Sequence, residues 1–294
     1  ESESRGLGDV YKRQEMDLSL VNSLAEQSAL AIKNSDAMNL RLEKSRMDSD
    51  LGLAKEVQEL FLAQKSPETK GLEVDAQYLP SSQVGGDFYD FYKLSPTKFG
   101  VCIADVSGKG VPASLLMALC QTNLRHYVSK TRSPSTVLKK LNLDLEKRIR
   151  EDMFITLFLA IIDTQTNTAT YARAGHEPAL LAKQGKGDEI TIDKLHGNGM
   201  ALGMVPADFF DETIEDKVVP FEEGNVMVLF TDGVTEAEDE EREEFGQDRL
   251  SEKLSSRVLL KPNEFNRRLL ADLDEYSSVT HERDDVTIVT LKRV

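Results

Sequence analysis

Four aspartates stand where hydrophobic runs meet Gly-rich or turn-forming stretches, and no other feature of the chain restricts its fold as much. Asp87 lies in Val-Gly-Gly-Asp-Phe-Tyr-Asp and Asp105 in Val-Cys-Ile-Ala-Asp-Val-Ser-Gly-Lys-Gly. Asp232 lies in Val-Leu-Phe-Thr-Asp-Gly, and Asp284 in the Asp-Asp-Val-Thr that opens the last apolar run. Carboxylates at strand ends can converge in space although they are far apart in sequence. Oxygen-only ligation of that kind suits hard divalent cations such as Mg²⁺ or Mn²⁺. Asp and Gly are also ordinary turn residues, so a single such site would mean little. Their recurrence, twice inside longer unusual strings, points to a metal cluster.

At 294 residues the chain can hold one large core, or one core and an accessory element. No apolar run is long enough to span a bilayer and no signal-peptide pattern is present, which predicts a soluble, cytoplasmic protein without membrane insertion. A net charge of −15 argues against nucleic acid as a partner, because phosphates would be repelled and no basic patch offsets the field. The densest acidic run, Glu236 to Glu244, reads as a solvated loop. Cys102 and Cys120 sit among apolar neighbours and read as small buried hydrophobes, with no partner spacing for zinc or redox chemistry.

The organisation along the chain is coarse but legible. Residues 1–14 show no periodicity and read as an unstructured or expression-derived leader. From Met16 to about Gln64 the pattern is helical, and Val21, Leu24, Ser28, Ala31, Ser35, Met38 and Leu42 form a thin heptad seam. This 15–64 segment predicts a coiled-coil linker that pairs with a copy of itself, making the chain a homodimer; the plainer reading is one amphipathic helix lying on the following domain. Ser66-Pro67 to Gly71 ends the helix, and residues 66–294 form the main domain. Strands are expected over 72–78, 99–104, 154–162, 169–174, 179–182, 226–230 and 286–291, and helices over 112–129, 134–150, 247–257 and 262–277. Runs of strands with helices grouped between them favour an α+β, largely antiparallel arrangement over a doubly wound parallel sheet.

Asp105 closes an apolar strand and precedes a flexible turn, so its carboxylate and the Val106 carbonyl could both face an ion. Asp232 and Asp284 repeat the strand-edge placement. Two metals held this way would activate a water against a phosphorus centre. A protein nucleophile is disfavoured, since neither cysteine has a neighbouring His or Arg motif and no Gly-x-Ser-x-Gly elbow exists. His126, His176, His196 and His281 lack zinc spacing. His176, in Ala-Gly-His-Glu-Pro, reads first as a structural turn histidine and second as a proton-transfer residue. Ser107-Gly108-Lys109-Gly110 invites a phosphate-loop reading but lacks the Walker spacing, and Gly85-Gly86-Asp87 continues differently from a diguanylate cyclase signature.

Val-Gly-Gly-Asp-Phe-Tyr-Asp, Ala-Asp-Val-Ser-Gly-Lys-Gly-Val-Pro-Ala, Ala-Gly-His-Glu-Pro, Phe-Thr-Asp-Gly-Val-Thr-Glu-Ala, Glu-Glu-Phe-Gly and Asp-Asp-Val-Thr occur here in order. From about Leu51 onward the chain thereby resembles the SpoIIE/RsbU-type branch of the metal-dependent serine/threonine protein phosphatases. The resemblance implies a sandwich of two antiparallel sheets flanked by helices (αββα), a centre of two Mn²⁺ or Mg²⁺ ions, and hydrolysis of phosphoserine or phosphothreonine. It also implies a phosphorylated protein substrate, a small STAS-type anti-sigma-factor antagonist. Asp105 matches the metal-bridging aspartate and Val106 the carbonyl donor. Asp232 and Asp284 match carboxylates of the other ion, and Asp87 the acid that binds or orients metal-bound water. Asp90 and Asp285 are adjacent acids without an assigned role. The helices after Asp105 resemble the family's switch helices. No counterpart of the phosphate-binding arginine of the eukaryotic enzymes is evident. Leu24 to Ile32 resembles the closing helix of a GAF sensor domain. A catalytically silent pseudophosphatase and a two-metal esterase acting on small molecules are the alternatives that the same residues leave open.

Overall fold

The computed structural model describes residues 2–62, 68–150, 152–185, 189–277 and 284–294, with the backbone alone described for residues 2–15. His281 and the Ser66-Pro67 helix stop lie outside the described residues. In chain order the elements are α1 (Ser2–Phe61), β1 (Leu72–Leu79), β2 (Phe88–Lys93), β3 (Lys98–Val106), α2 (Val111–Val128) and α3 (Pro134–Leu145). Then come β4 (Ile155–Asp163), β5 (Thr168–Ala174), β6 (Ala179–Gln184), β7 (Ile190–Leu195), α4 (Ala207–Thr213), β8 (Lys217–Pro220) and β9 (Val226–Phe230). The chain closes with α5 (Asp232–Thr235), α6 (Gly246–Arg257), α7 (Pro262–Tyr276) and β10 (Val286–Arg293).

Glu1–Leu53 and Ala54–Val294 are separate compact units. The first is helix, and the helix runs back to Ser2, so residues 2–14 continue it where an unstructured leader was expected. No proline interrupts that segment, and its two glycines cost a helix only about 1 kcal/mol each. Val21, Leu24, Met38 and Leu42 of the seam are all solvent-exposed. The last turns of α1, from Ala54, belong to the second unit, whereas the sequence suggested a boundary near residue 66.

The second unit is a four-layer α+β sandwich, as the αββα expectation required. One sheet has the order β1-β10-β9-β6-β7 and the other β2-β3-β4-β5-β8, with every pairing antiparallel. The inner faces meet through Phe99, Val101, Ile103, Phe158 and Ala160 on one side and Leu181, Met227, Leu229, Val289 and Leu291 on the other. The period-2 alternation of a strand turns these residues inward while their neighbours serve a second core outside. On one outer face Cys102, Ala104, Leu157 and Leu159 pack against α2 and α3. On the other, Leu180, Val228, Phe230 and Ile288 pack against α6 and α7. Strands buried on both faces read as continuous apolar runs, which is why β3, β4 and β9 stood out in the sequence.

The helix starts follow local chemistry. Pro112 occupies the first turn of α2 and Pro134 that of α3, where a missing N–H costs nothing. Ser133 caps α3 by accepting a hydrogen bond from Thr136 N at 3.2 Å. α3 then buries Val137, Leu138, Leu141 and Leu145 completely, each contributing roughly 1.5–3 kcal/mol through lost apolar exposure.

Candidate metal centre

One end of the sandwich gathers the aspartates. Asp87 immediately precedes β2, and Asp105 is the penultimate residue of β3, opposite Thr156 of β4. From the other sheet, Asp232 opens α5 directly after β9, and Asp284 and Asp285 directly precede β10. The two sheets therefore face each other with acids at corresponding ends. Around the ring the charge of one carboxylate raises the pKa of the next: Asp105 that of Asp87, Asp232 that of Asp105, and Asp284 that of Asp232. Asp105 stands between the acids of the two sheets in this series.

Burial is the first cause of the electrostatic tension and crowding the second. Burial, then the charge of Asp232, lifts the Asp105 carboxyl to about 7. Asp87 is pushed well above the usual carboxylate range by burial and by Asp105, and Asp232 is raised by burial and by Asp284. No buried cation among the described residues offsets these charges. Such a cluster lowers its free energy by taking up protons or divalent cations.

The residues fit hard cations, with one qualification of geometry. Among the described residues no three His, Cys, Asp or Glu side chains close on one point as a ready-made cage. The donors instead line an open cleft, as suits Mg²⁺, which keeps several waters and takes only one or two carboxylates. Asp87 is turned inward: Thr231 and Thr287 hydroxyls each donate to its Oδ2 at 2.7 Å. Those two hydroxyls belong to the opposite sheet, so Asp87 is both an acid of the site and a tie between the sheets. The Val106 carbonyl is kept open by Gly86, because a Cβ at residue 86 would stand 2.7 Å from that oxygen. Here glycine is needed for close approach.

The turn that carries Asp87 is fixed from two directions. Asp285 accepts hydrogen bonds from Ser81 N at 2.7 Å, Ser81 Oγ at 2.8 Å and Gly86 N at 2.9 Å. Asp285, without a role in the sequence reading, thus holds the Gly-Gly turn against β10. From the other side Gln58, in the last turns of α1, donates from Nε2 to the Gly85 carbonyl at 2.6 Å and accepts from Gly85 N at 3.2 Å. Gln121 of α2 donates to the Phe61 carbonyl at 2.6 Å.

Asp90, the other unassigned acid, lies apart from the cleft. Its fully buried carboxylate pairs with Arg125 of α2, at 2.5 Å from Nη2 and 3.1 Å from Nε. His176 is also structural. Its Nδ1 lies 2.8 Å from Thr156 Oγ1 and its Nε2 3.1 Å from the Phe230 carbonyl, and burial drives its pKa down to about 3. The ring is therefore neutral, donates from Nε2 and accepts at Nδ1, and links β4 beside Asp105 to β9 beside Asp232. Glu177 went unrecognised in the sequence. It lines the lobe between Asp105 and Asp232, and its charge helps raise the Asp232 pKa. The cysteines are buried, and burial raises both thiols far above the range of a reactive thiolate.

The sequence profile of the family described as Stage II sporulation protein E (SpoIIE) matches residues 95–294, which carry Asp105, Asp232 and Asp284. The chain belongs to the SpoIIE family. The phosphoserine phosphatase RsbU of Bacillus subtilis is 35% identical over 205 residues, covering 68% of this chain and 58% of RsbU. Protein IcfG of Synechocystis sp. is 28% identical over 301 residues, covering 91% of this chain and 44% of IcfG. The chain thus spans about half the length of these curated relatives. Among solved structures, the SiaA-PP2C domain of Pseudomonas aeruginosa superposes with a TM-score of 0.72 at 22% identity, covering 85% of this chain and 98% of that one. The SpoIIE phosphatase domain with a regulatory fragment from Bacillus subtilis gives 0.62 at 19% identity, covering 77% and 64%. These two likenesses establish the PP2C-type fold of this SpoIIE-family chain.

Proposed function

We propose that this SpoIIE-family chain is a Mg²⁺- or Mn²⁺-dependent protein phosphatase that removes phosphate from phosphoserine or phosphothreonine. The observation that carries the reading is the meeting of Asp105, Asp232 and Asp284 at one end of two sheets, with burial and mutual repulsion raising the Asp105 and Asp232 carboxyls. Family membership and the name of the RsbU relative support it. In this proposal Asp105, the Val106 carbonyl, Asp232 and Asp284 would hold two ions, and Asp87 would bind or orient water on them. Divalent cations there supply Lewis acidity that lowers the pKa of a water and offsets charge on a phosphoryl group.

The chain's own residues supply the setting. Thr231 and Thr287 fix the Asp87 carboxylate, Gly86 leaves the Val106 carbonyl accessible, and neutral His176 locks the two strand ends. The buried, protonated thiols of Cys102 and Cys120 leave water as the attacking group. The substrate we assign is a phosphorylated STAS-type domain, and the helix of residues 15–64 is assigned as a dimerising linker below a GAF-type sensor.

Phosphate release from phosphorylated STAS-type proteins, with Mn²⁺ and with chelator, tests the reading. Asp232→Asn is expected to lower turnover by at least about a hundredfold, as loss of a charge-stabilising group does in other active sites. Turnover in Asp232→Asn near that of the wild type refutes the metal assignment. A wild type that binds phosphoprotein without hydrolysing it would make the chain a pseudophosphatase instead.

A further inference from the structure

The carboxylate cleft has two lobes that share Asp105. The smaller, about 50 Å³, is lined by Thr156, Gly175, His176, Glu177 and Asp232. The larger, about 90 Å³, is lined by the Ser81 to Gly86 turn, by Val106 to Lys109 and by Asp284 and Asp285. A phosphoryl group entering either lobe meets acids. Once ionised, the five carboxylates of Asp87, Asp105, Asp232, Asp284 and Asp285 outnumber even the four positive charges of two divalent ions. A dianionic substrate group therefore needs a cation from the protein.

Among the described residues lining both lobes, Lys109 is the sole lysine or arginine. Its Nζ lies 3.5 Å from Asp284 Oδ1, at the mouth of the larger lobe. That distance makes an ion pair and leaves the three ammonium protons available for shorter bonds. Several other donors of this lobe already have partners. Ser81 N, Ser81 Oγ and Gly86 N all serve Asp285, Ser82 Oγ bonds the Val84 carbonyl, and Ser107 N bonds the Phe154 carbonyl. The Lys109 side chain is 60% exposed. Its loop is flanked by Gly108 at φ 89° and Gly110 at φ 78°, both left-handed and both with open space where a Cβ would stand. Lys109 is thus held near the cleft by charge, with its side chain largely open to solvent.

We infer that Lys109 holds the substrate phosphate, its ammonium donating to the non-bridging phosphoryl oxygens. The inference rests on the phosphatase reading, and it concerns binding alone. A point charge on a flexible stem suits phosphate without the fixed fork geometry of arginine.

The test is calorimetric titration of inorganic phosphate into the full chain saturated with Mg²⁺, for wild type, Lys109→Gln, Lys109→Arg and Arg283→Gln. The last controls for the cation next to Asp284 in sequence. Lys109→Gln is expected to weaken phosphate binding about tenfold, equivalent to about 1.4 kcal/mol, and to raise KM for p-nitrophenyl phosphate more than it lowers kcat. Lys109→Arg should stay within about threefold of wild type, and Mg²⁺ affinity measured alone should not fall in Lys109→Gln. Unchanged phosphate affinity in Lys109→Gln overturns the assignment. So does a parallel loss of Mg²⁺ affinity, a loss confined to Arg283→Gln, or a wild type that binds no phosphate. Because phosphate binding is read without turnover, a wild type that hydrolyses no phosphoprotein refutes the enzyme reading separately from the lysine.

Discussion

Replacing Asp105 by Asn is expected to stabilise the chelated protein at alkaline pH and to destabilise it, relative to wild type, once Mg²⁺ is added. Burial and the charge of Asp232 place the Asp105 carboxyl at about 7, against 3.8 when exposed. A carboxyl whose pKa is higher folded than unfolded contributes its full stability below the unfolded value. That contribution is lost as pH climbs through the folded value. Above neutrality the ionised group therefore opposes folding. At about 1.36 kcal/mol per pH unit the ceiling is about 4 kcal/mol, and sharing of the repulsion with Asp232 and Asp284 reduces it to about 2 kcal/mol. An amide of the same shape carries no charge, so the variant escapes this cost. For a domain of this size that corresponds to a Tm rise of about 4–8 °C. Thermal unfolding in chelator from about pH 5 to about pH 8 should show the two proteins diverging as pH rises. Saturating Mg²⁺, about a hundred times its Kd, should then add about 2.7 kcal/mol to the wild type and much less to the variant, inverting their order. An Asp105→Asn protein that melts below wild type in chelator at the alkaline end would refute the electrostatic account.

Three other perturbations probe separate parts of the structure. Arg125→Met strands the Asp90 carboxylate in a fully buried position and should cost about 3–5 kcal/mol in denaturant unfolding. Adding Asp90→Asn should recover part of that loss, and no recovery would mean that the pair is not coupled. Cys102→Ala with Cys120→Ala should lose stability through packing, on the order of 1–3 kcal/mol, while Mn²⁺-dependent hydrolysis persists. A trapped phosphocysteine would contradict this. Deleting Met16 to Asp50 should convert a dimer to a monomer by sedimentation and change phosphate release several-fold, since the exposed seam of Val21, Leu24, Met38 and Leu42 needs a partner. Equal mass and equal activity with and without the segment would reduce the helix to a tether.

The parts of the fold that were legible in sequence share one property: their pattern is decided by their own residues. β9 ends after an uninterrupted apolar run, and α2 and α3 carry prolines in their first turns, where a helix tolerates them best. β2 escaped because Asp90 stands in the middle of Phe-Tyr-Asp-Phe-Tyr, and the arginine that makes this charge tolerable lies 35 residues away. β7 is half exposed, and β8 is a four-residue edge strand ending in Pro220, too short to carry a period. At the site the acids announced themselves by their Gly-rich settings. Thr231 and Thr287, whose hydroxyls aim Asp87, look like any strand threonine until the sheets are assembled. Glu177 has no strand-end or Gly-rich signature of its own, and only the assembled lobe brings it beside Asp105 and Asp232.

The Gln58 clasp on Gly85 bears on where an independently folding fragment can begin. A truncation at Ser66 keeps every strand and every aspartate of the cleft. It strips both backbone hydrogen-bond partners from Gly85, two residues ahead of Asp87, and the Phe61 acceptor from Gln121 on α2. A polar group left buried without a partner costs about 1–3 kcal/mol, and here the loss falls on the turn that presents Asp87. A protease that nicks the chain between Phe61 and Leu72 would be harmless only while the severed helix end stayed docked. The start of a self-sufficient folded piece is therefore set by a glutamine side chain twenty-seven residues upstream of the turn it supports, ahead of the first strand.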